Sequence, residues 1–168
     1  MSNKNETVLV TGGAGYIGSH TVLALKEAGK PVVIIDNLST GRRELVPDGV
    51  PLVVGEVSDQ KLVGSVLREH KCQGVLHFVG SIVVPESVTN PLKYYENNTV
   101  TSRSLIESCV DAGVNVFVFS STAAVYGNPS ELPLTEGAET LPVNPYGSSK
   151  LMTEWMLRDV SAASDLRY

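Results

Sequence analysis

Five short, nearly unbroken apolar runs punctuate the chain, and between them apolar residues recur at three- to four-residue spacing. Runs of the first kind suit strands covered on both faces of a sheet, and the spaced residues suit helices with one buried face. Strands are predicted at Thr7–Thr11, Pro31–Asp36, Pro51–Val54, Gly74–Val79 and Val114–Ser120, after a polar tail from Met1 to Glu6. Helices are predicted at Tyr16–Ala28, Asp59–His70, Pro91–Ala112 and Pro145–Ala162. Pro91 and Pro145 suit a first helical turn, whose N–H groups have no intrahelical acceptor, and Gly29 and Gly113 suit the residue just past a last turn.

Strand and helix alternate, so the expected fold is α/β, a doubly wound parallel sheet of Rossmann-like type. About five strands are expected, and Asp165-Leu166-Arg167-Tyr168 reads as the approach to another, so the chain is expected to stop mid-fold as one domain over residues 1–168. Two connections are long and carry Gly and Pro, Asn37 to Gly49 and Ser121 to Asn144. Both follow strands, which places them at the carboxyl edge of a parallel sheet, where ligands bind.

Charge and cysteine content narrow the function classes. Thirteen basic against 18 acidic residues give a net charge of −5 and a pI near 5.2. No broad basic surface exists to neutralise nucleic-acid phosphates or anionic lipid, so neither is an expected partner. The longest uncharged stretch, Ala112 to Ser130, contains Asn, Ser, Gly and Pro and is no membrane span. Cys72 and Cys109 lack metal-ligand spacing and no secretory leader precedes them; they read as reduced, buried thiols of a cytoplasmic protein, and no metal is expected.

Chemistry concentrates in two segments. After the apolar Val8-Leu9-Val10 comes Thr11-Gly12-Gly13-Ala14-Gly15-Tyr16-Ile17-Gly18, with glycines 12, 15 and 18 opening a predicted helix. A strand, a tight glycine turn and a helix amino terminus make a cradle for a pyrophosphate, whose charge meets the helix amides. Asp36 ends the second strand 18 residues after Gly18, near the interval at which an acid grips the adenosine ribose. A carboxylate there repels a 2′-phosphate and favours NAD, while Arg42 and Arg43 in the next loop keep NADP open. The plainer readings are turn glycines and a capping acid.

The second segment is Tyr146-Gly147-Ser148-Ser149-Lys150. Residues four apart share a helix face, and Asn144 with Pro145 makes a cap and first residue that put the phenol near the positive end of the helix dipole. A phenol must fall by about three pKa units, roughly 4 kcal/mol, to act as a base near neutrality. One cation about 4 Å away supplies that at an effective dielectric near 20. The alternative is an ordinary stacked Tyr–Lys surface pair. Against it stand the poor helix formers Gly147, Ser148 and Ser149, which suit a turn that something approaches closely, and the hydroxyls of Ser120, Ser121 and Thr122 at the fifth strand's carboxyl end.

These motifs, with His77-Phe78, Glu86-Ser87-Val88, Tyr94-Tyr95-Glu96-Asn97-Asn98 and Val125-Tyr126-Gly127, resemble the extended short-chain dehydrogenase/reductase family over essentially the whole chain. Within it, the likeness is to the amino-terminal, NAD-binding part of the UDP-hexose 4-epimerases. The resemblance implies that Tyr146 takes the proton of the sugar 4-hydroxyl, Lys150 holds the nicotinamide ribose and Thr122 hydrogen-bonds the reacting hydroxyl. It implies NAD contacts at Gly12, Gly15, Tyr16, Ile17 and Gly18, at Asp36, Asn37, Leu38, Ser39, Thr40 and Gly41, and at Phe78, Val79, Gly80, Ser81, Asn97, Ser120 and Ser121. Glu56 and Val57 fall at the adenine, where the family usually has Asp and an aliphatic residue; Val79 replaces a common Ala and Ile82 a common Lys.

The implied function is interconversion of UDP-glucose and UDP-galactose through a 4-keto sugar. The carboxyl-terminal lobe that grips the nucleotide sugar is missing from these 168 residues, so the fragment alone is expected to be inactive. A homodimer through helices 91–112 and 145–162 is also implied. Ala123-Ala124 after Thr122 disfavour a dehydratase, which needs an acid pair there, and the 24-residue interval from Thr122 to Tyr146 is long for a simple ketoreductase. A non-catalytic NAD-binding module is the remaining alternative.

Overall fold

The structure is a computed structural model and describes residues 6–168, so all but one residue of the predicted polar tail lies outside it. Five strands, β1 (Thr7–Thr11), β2 (Val32–Asp36), β3 (Leu52–Val54), β4 (Cys72–His77) and β5 (Val116–Phe119), form one parallel sheet in the order β3-β2-β1-β4-β5. Helices α1 (Tyr16–Glu27) and α2 (Gln60–Glu69) connect strands, and a short helix α3 (Val84–Thr89) follows β4. The helix predicted from Pro91 divides into α4 (Pro91–Tyr94), a π-helical stretch Tyr95–Val100 and α5 (Thr101–Asp111), before β5 and the long α6 (Pro145–Ala163). The strand order reverses direction between β1 and β4, which puts the switch point of the doubly wound sheet at their carboxyl ends.

Side chains alternate between two cores. Leu9, Val33, Ile35, Val75 and Phe117 face α2, α5 and α6 and pack with Val63, Leu67, Leu105, Ile106 and Leu157. Val10, Val32 and Ile34 face the other way and pack with Val22 of α1. Full burial of a Val or Leu side chain contributes about 1.5–3 kcal/mol, so the larger cluster anchors α2, α5 and α6 to the sheet.

Pro91 and Pro145 open their helices, and Gly29 and Gly113 follow the ends of α1 and α5 with φ of 70°. The Asn144 side chain caps α6 by accepting from Gly147 N at 2.8 Å, as its place before Pro145 predicts. Besides the division of the helix that begins at Pro91, three features differ from the sequence reading. β4 runs from Cys72 to His77 rather than from Gly74 to Val79, because Cys72 pairs with Thr7 before a register shift. α3 was not expected. β5 is not covered on both faces: Val116 and Val118 are 39% and 50% exposed, while Phe117 between them is buried. Beside β5, Arg167 forms a parallel bridge with Val116, which fits the strand approach read from residues 165–168.

Candidate functional site

The glycine loop leaves β1 and turns into α1. Gly12 has φ 73° and its carbonyl accepts from Gly15 N at 3.1 Å, closing the turn. Close approach is most severe at Gly18, where a Cβ would lie 2.1 Å from the Gly12 carbonyl oxygen. Gly15, at the N-cap of α1, offers no side chain to the first amides. The N–H groups of Tyr16, Ile17 and Gly18, in the first turn, therefore have no intrahelical acceptor and carry the positive end of the helix dipole. That cradle fits a pyrophosphate. Val79 fills the floor, its Cγ2 lying 3.3 Å from where a Gly12 Cβ would stand.

Asp36, 6% exposed, ends β2 beside this loop. Its Oδ2 accepts from Ala14 N and its Oδ1 from Leu38 N, both at 2.9 Å, so two amides orient the carboxylate and leave lone pairs for a ribose diol. Leu38 adopts φ 59°, and Arg42 N donates to the Ala14 carbonyl, which folds the loop back onto the glycines with Gly41 against Asp36. Asn37 accepts from Ser39 N and donates to both carboxylate oxygens of Glu56 at 3.1 and 3.3 Å. Ser39, Thr40 and Glu56 are exposed along this rim, whereas the Val57 side chain is in the core, leaving only its backbone for a ligand.

Past β4, Phe78 N continues the ladder to Thr11 O, and Gly80 and Ser81 turn toward the π-helical stretch. Asn97 donates to Ser81 Oγ at 3.0 Å. Its neighbour Asn98, which the sequence reading did not single out, is 1% exposed and holds more. Its Oδ1 accepts from Ser81 N at 2.7 Å, and its Nδ2 donates to Ser81 O at 3.0 Å and Ser149 Oγ at 2.9 Å. One side chain thus ties the loop after β4 to α6. The available signal was an Asn pair amid a helical pattern, a poor choice for a helix interior unless the amide is used.

Tyr146 and Lys150 lie on α6 beside the end of β5. Tyr146 is half-buried, with its ring edge-on to Tyr94 at 6.4 Å. Tyr94 is fully buried, and its hydroxyl donates to Val83 O at 2.6 Å and to Glu86. Lys150 is 4% exposed; its Nζ donates to Ser120 O at 2.9 Å and lies 4.7 Å from the centre of the Phe119 ring. Burial brings its pKa down to about 8. Among the described residues no hydrogen bond joins Lys150 to Tyr146.

Thr122 Oγ1 accepts from Ala124 N at 3.1 Å, which caps a short 3-10 turn and leaves the hydroxyl proton to donate. Ser121, by contrast, turns its hydroxyl away to Glu154 of α6. What crowds the small residues of α6 is the chain itself: a Cβ on Gly147 would lie 2.6 Å from Ala124 O and 3.0 Å from Pro142 Cβ.

His77 is completely buried beneath the site. Its Nδ1 bonds Thr11 Oγ1 at 2.6 Å and its Nε2 bonds Ser102 Oγ at 2.9 Å, while Ser102 donates to the Asn98 carbonyl. Burial, with the nearby Lys150 charge adding to it, pushes its pKa down to about 3. It is a neutral structural imidazole. Among the described residues no group of His, Cys, Asp and Glu could hold a metal, and no helix is long and apolar enough to cross a membrane. Cys72 and Cys109 are both buried and unpaired.

Residues 8–168 match the NAD dependent epimerase/dehydratase family. A UDP-glucose 4-epimerase of Azospirillum brasilense is 59% identical over 160 residues, which is 95% of this chain and 46% of that protein. The crystal structure of UDP-glucose 4-epimerase from Brucella ovis in complex with NAD superposes with a TM-score of 0.94 at 43% identity, covering 97% of this chain and 50% of that one. The UDP-Glc/GlcNAc 4-epimerase of Campylobacter jejuni gives 0.90 at 44% identity, over 94% and 50% of the two chains. The chain spans about half the length of the relatives it matches. With its glycine cradle, its acid at the end of β2 and a match running from Val8 to Tyr168, the chain belongs to the NAD dependent epimerase/dehydratase family.

Proposed function

We propose that these 168 residues are the NAD-binding half of a UDP-hexose 4-epimerase that interconverts UDP-glucose and UDP-galactose through a 4-keto sugar. The observation that carries this is the convergence at one sheet edge of an uncapped helix terminus in a glycine cradle, a buried acid at the end of β2, and Tyr146, Lys150 and Thr122. NAD, when bound, supplies the reversible hydride exchange at the sugar C4. The amides of Tyr16 and Ile17 hold its pyrophosphate, Asp36 its adenosine ribose, and the Phe78–Ser81 loop with Asn97 its nicotinamide half.

Tyr146 accepts the proton of the 4-hydroxyl and returns it. Lys150 stabilises the phenolate electrostatically and holds the nicotinamide ribose, and Thr122 donates to the reacting oxygen. Neutral His77 and the Asn98 amide fix the strand end and loop on which these groups stand. We assign the grip on the uridine diphosphate to the part of the relatives that these residues do not span. The apolar groove between α5 and α6, lined by Ile106, Val110, Met156 and Val160, is assigned to a second copy of the chain, and its mass by light scattering tests that. Two buried free thiols suit a reducing cytoplasm.

Calorimetric titration of the purified chain with NAD⁺ and NADP⁺ tests the reading. Binding of NAD⁺, with NADP⁺ at least tenfold weaker, is expected; equal affinity for both would remove Asp36 from the role given to it. Interconversion of UDP-glucose and UDP-galactose by these residues alone would refute the division of labour between the two halves.

A further inference from the structure

The Lys150 ammonium stands in an unusual electrostatic position for a buried charge. Buried cations are ordinarily paired with carboxylates. Among the described residues the ion pairs join Lys93 to Glu86, Arg103 to Glu107 and Arg158 to Asp159, and none includes Lys150. Its hydrogen-bond partner is one backbone carbonyl, Ser120 O, the face of Phe119 lies beside it, and Gly80 comes close enough that a Cβ there would stand 3.5 Å from Nζ. The Phe119 ring also lies near-parallel to the imidazole of His77, centroids 5.8 Å apart and planes at 24°. His77 sits opposite Phe119 in the β4–β5 register and is held at both nitrogens, by Thr11 and Ser102. Phe119 thus has the ammonium over its ring and, on the neighbouring strand, a neutral imidazole held at both nitrogens.

Among the described residues, none of the other titratable groups around this point forms an ion pair with Lys150. On α6 itself, Tyr146 lies one turn before Lys150, and Glu154, one turn after, takes the hydroxyl of Ser121. Tyr94 of α4 directs its hydroxyl to Val83 O and Glu86 of α3, and Glu86 pairs with Lys93. Asn98 is uncharged, and Arg103 and Glu107 of α5 pair with each other, their side chains 62% and 45% exposed. The negative face of an aromatic ring attracts a cation within about 6 Å of its centre, most strongly where water is excluded.

We propose that Phe119 is a positioning residue for Lys150: its ring face, with the Ser120 carbonyl, takes the place of a counter-ion and keeps the lysine charged at the sheet edge. Burial alone draws the proton affinity of Lys150 down toward neutrality, to a pKa of about 8, and the ring opposes further loss. Its meaning for catalysis rests on the proposed function above, but the charge state of Lys150 is measurable without nucleotide.

The test is ¹⁵N NMR titration of lysine Nζ in the labelled chain, with the Lys150 resonance identified by its loss in Lys150→Arg. Phe119→Met keeps an apolar side chain of similar volume and removes the ring. It is expected to weaken proton binding at Lys150 about tenfold, while Phe119→Tyr leaves it unchanged. Pentafluorophenylalanine at position 119 keeps the ring's shape and reverses its quadrupole, so it is expected to act like Met even if Phe119→Met does not fold. Lys150 titrating as in the parent chain with the fluorinated ring would overturn the proposal and make Phe119 a space-filler. Failure of the parent chain to bind NAD⁺ would sink the proposed function and leave this titration standing.

Discussion

The buried His77 makes the chain acid-sensitive in a pH window where few other groups change. Its folded pKa of about 3 lies below the ordinary 6.5, because burial and then the Lys150 charge disfavour the imidazolium. Below pH 6.5 the unfolded chain takes up a proton that the folded chain refuses, so stability falls as pH drops from 6.5 toward 3. With those two values the loss from pH 7.5 to pH 5 is about 2 kcal/mol, and it steepens toward about 1.4 kcal/mol per unit. That is a large share of the roughly 5–15 kcal/mol expected of a domain. Glu86 contributes in the same direction only lower, since its carboxyl is held down by Lys93 and its loss begins below 4.5.

Urea unfolding at constant ionic strength, stepped from pH 7.5 to 5.0, reads the slope. His77→Gln removes the titration while keeping an amide between Thr11 and Ser102. It is expected to cost about 1–3 kcal/mol at pH 7.5 through imperfect hydrogen bonds and then to lie flat to pH 5. A parent chain whose stability does not change over this range, or a Gln variant with the same slope, would refute the assignment of a neutral imidazole.

Three further outcomes are expected. Gly18→Ala places a methyl 2.1 Å from the Gly12 carbonyl oxygen, so the loop must move; NAD⁺ affinity should fall at least tenfold and stability by about 1–3 kcal/mol, read by calorimetry and urea unfolding. Asn98→Ala removes three side-chain hydrogen bonds and should cost about 3–4 kcal/mol, and a loss under about 1 kcal/mol would mean that water replaces them. Cys72 and Cys109, whose thiols burial pushes up to about 11 and about 12, should react with a disulfide reagent at pH 8 at least about a hundredfold more slowly than free cysteine, until the chain is unfolded.

The strands and helix ends were legible because their signals are local. Val32 to Ile35 are all buried, so the run is continuous, and Pro91, Pro145, Gly29 and Gly113 mark boundaries by their own backbone preferences. α3 was not legible, since Val84-Pro85-Glu86-Ser87-Val88-Thr89 is rich in β-branched residues that favour strands. Tertiary contacts hold it in place: Ser87 is fully buried, and the Tyr94 hydroxyl bonds both Glu86 and the Val83 carbonyl. The π-helical stretch escaped for a related reason. Its residues 95–100 have the periodicity of a helix, and the widened turn coincides with Asn98 buried between Ser81 and Ser149, partners far away in sequence.

The site divides along the same line. The spacing of Tyr146 and Lys150 predicts one helix face, and the fold keeps them on it, but that spacing says nothing of what surrounds the ammonium. Its surroundings come from positions 30 to 73 residues away, Ser120, Phe119 and His77. They become readable once the sheet is known to be parallel with His77 opposite Phe119, because both side chains must then project to the face that α6 covers. A buried histidine at the end of a strand, opposite an aromatic residue and under a helix bearing a lysine, marks a charge that the fold must hold without an acid. The titration of Lys150 against the nature of residue 119 is therefore the measurement that separates a lysine positioned by its helix from one whose charge is set by the sheet.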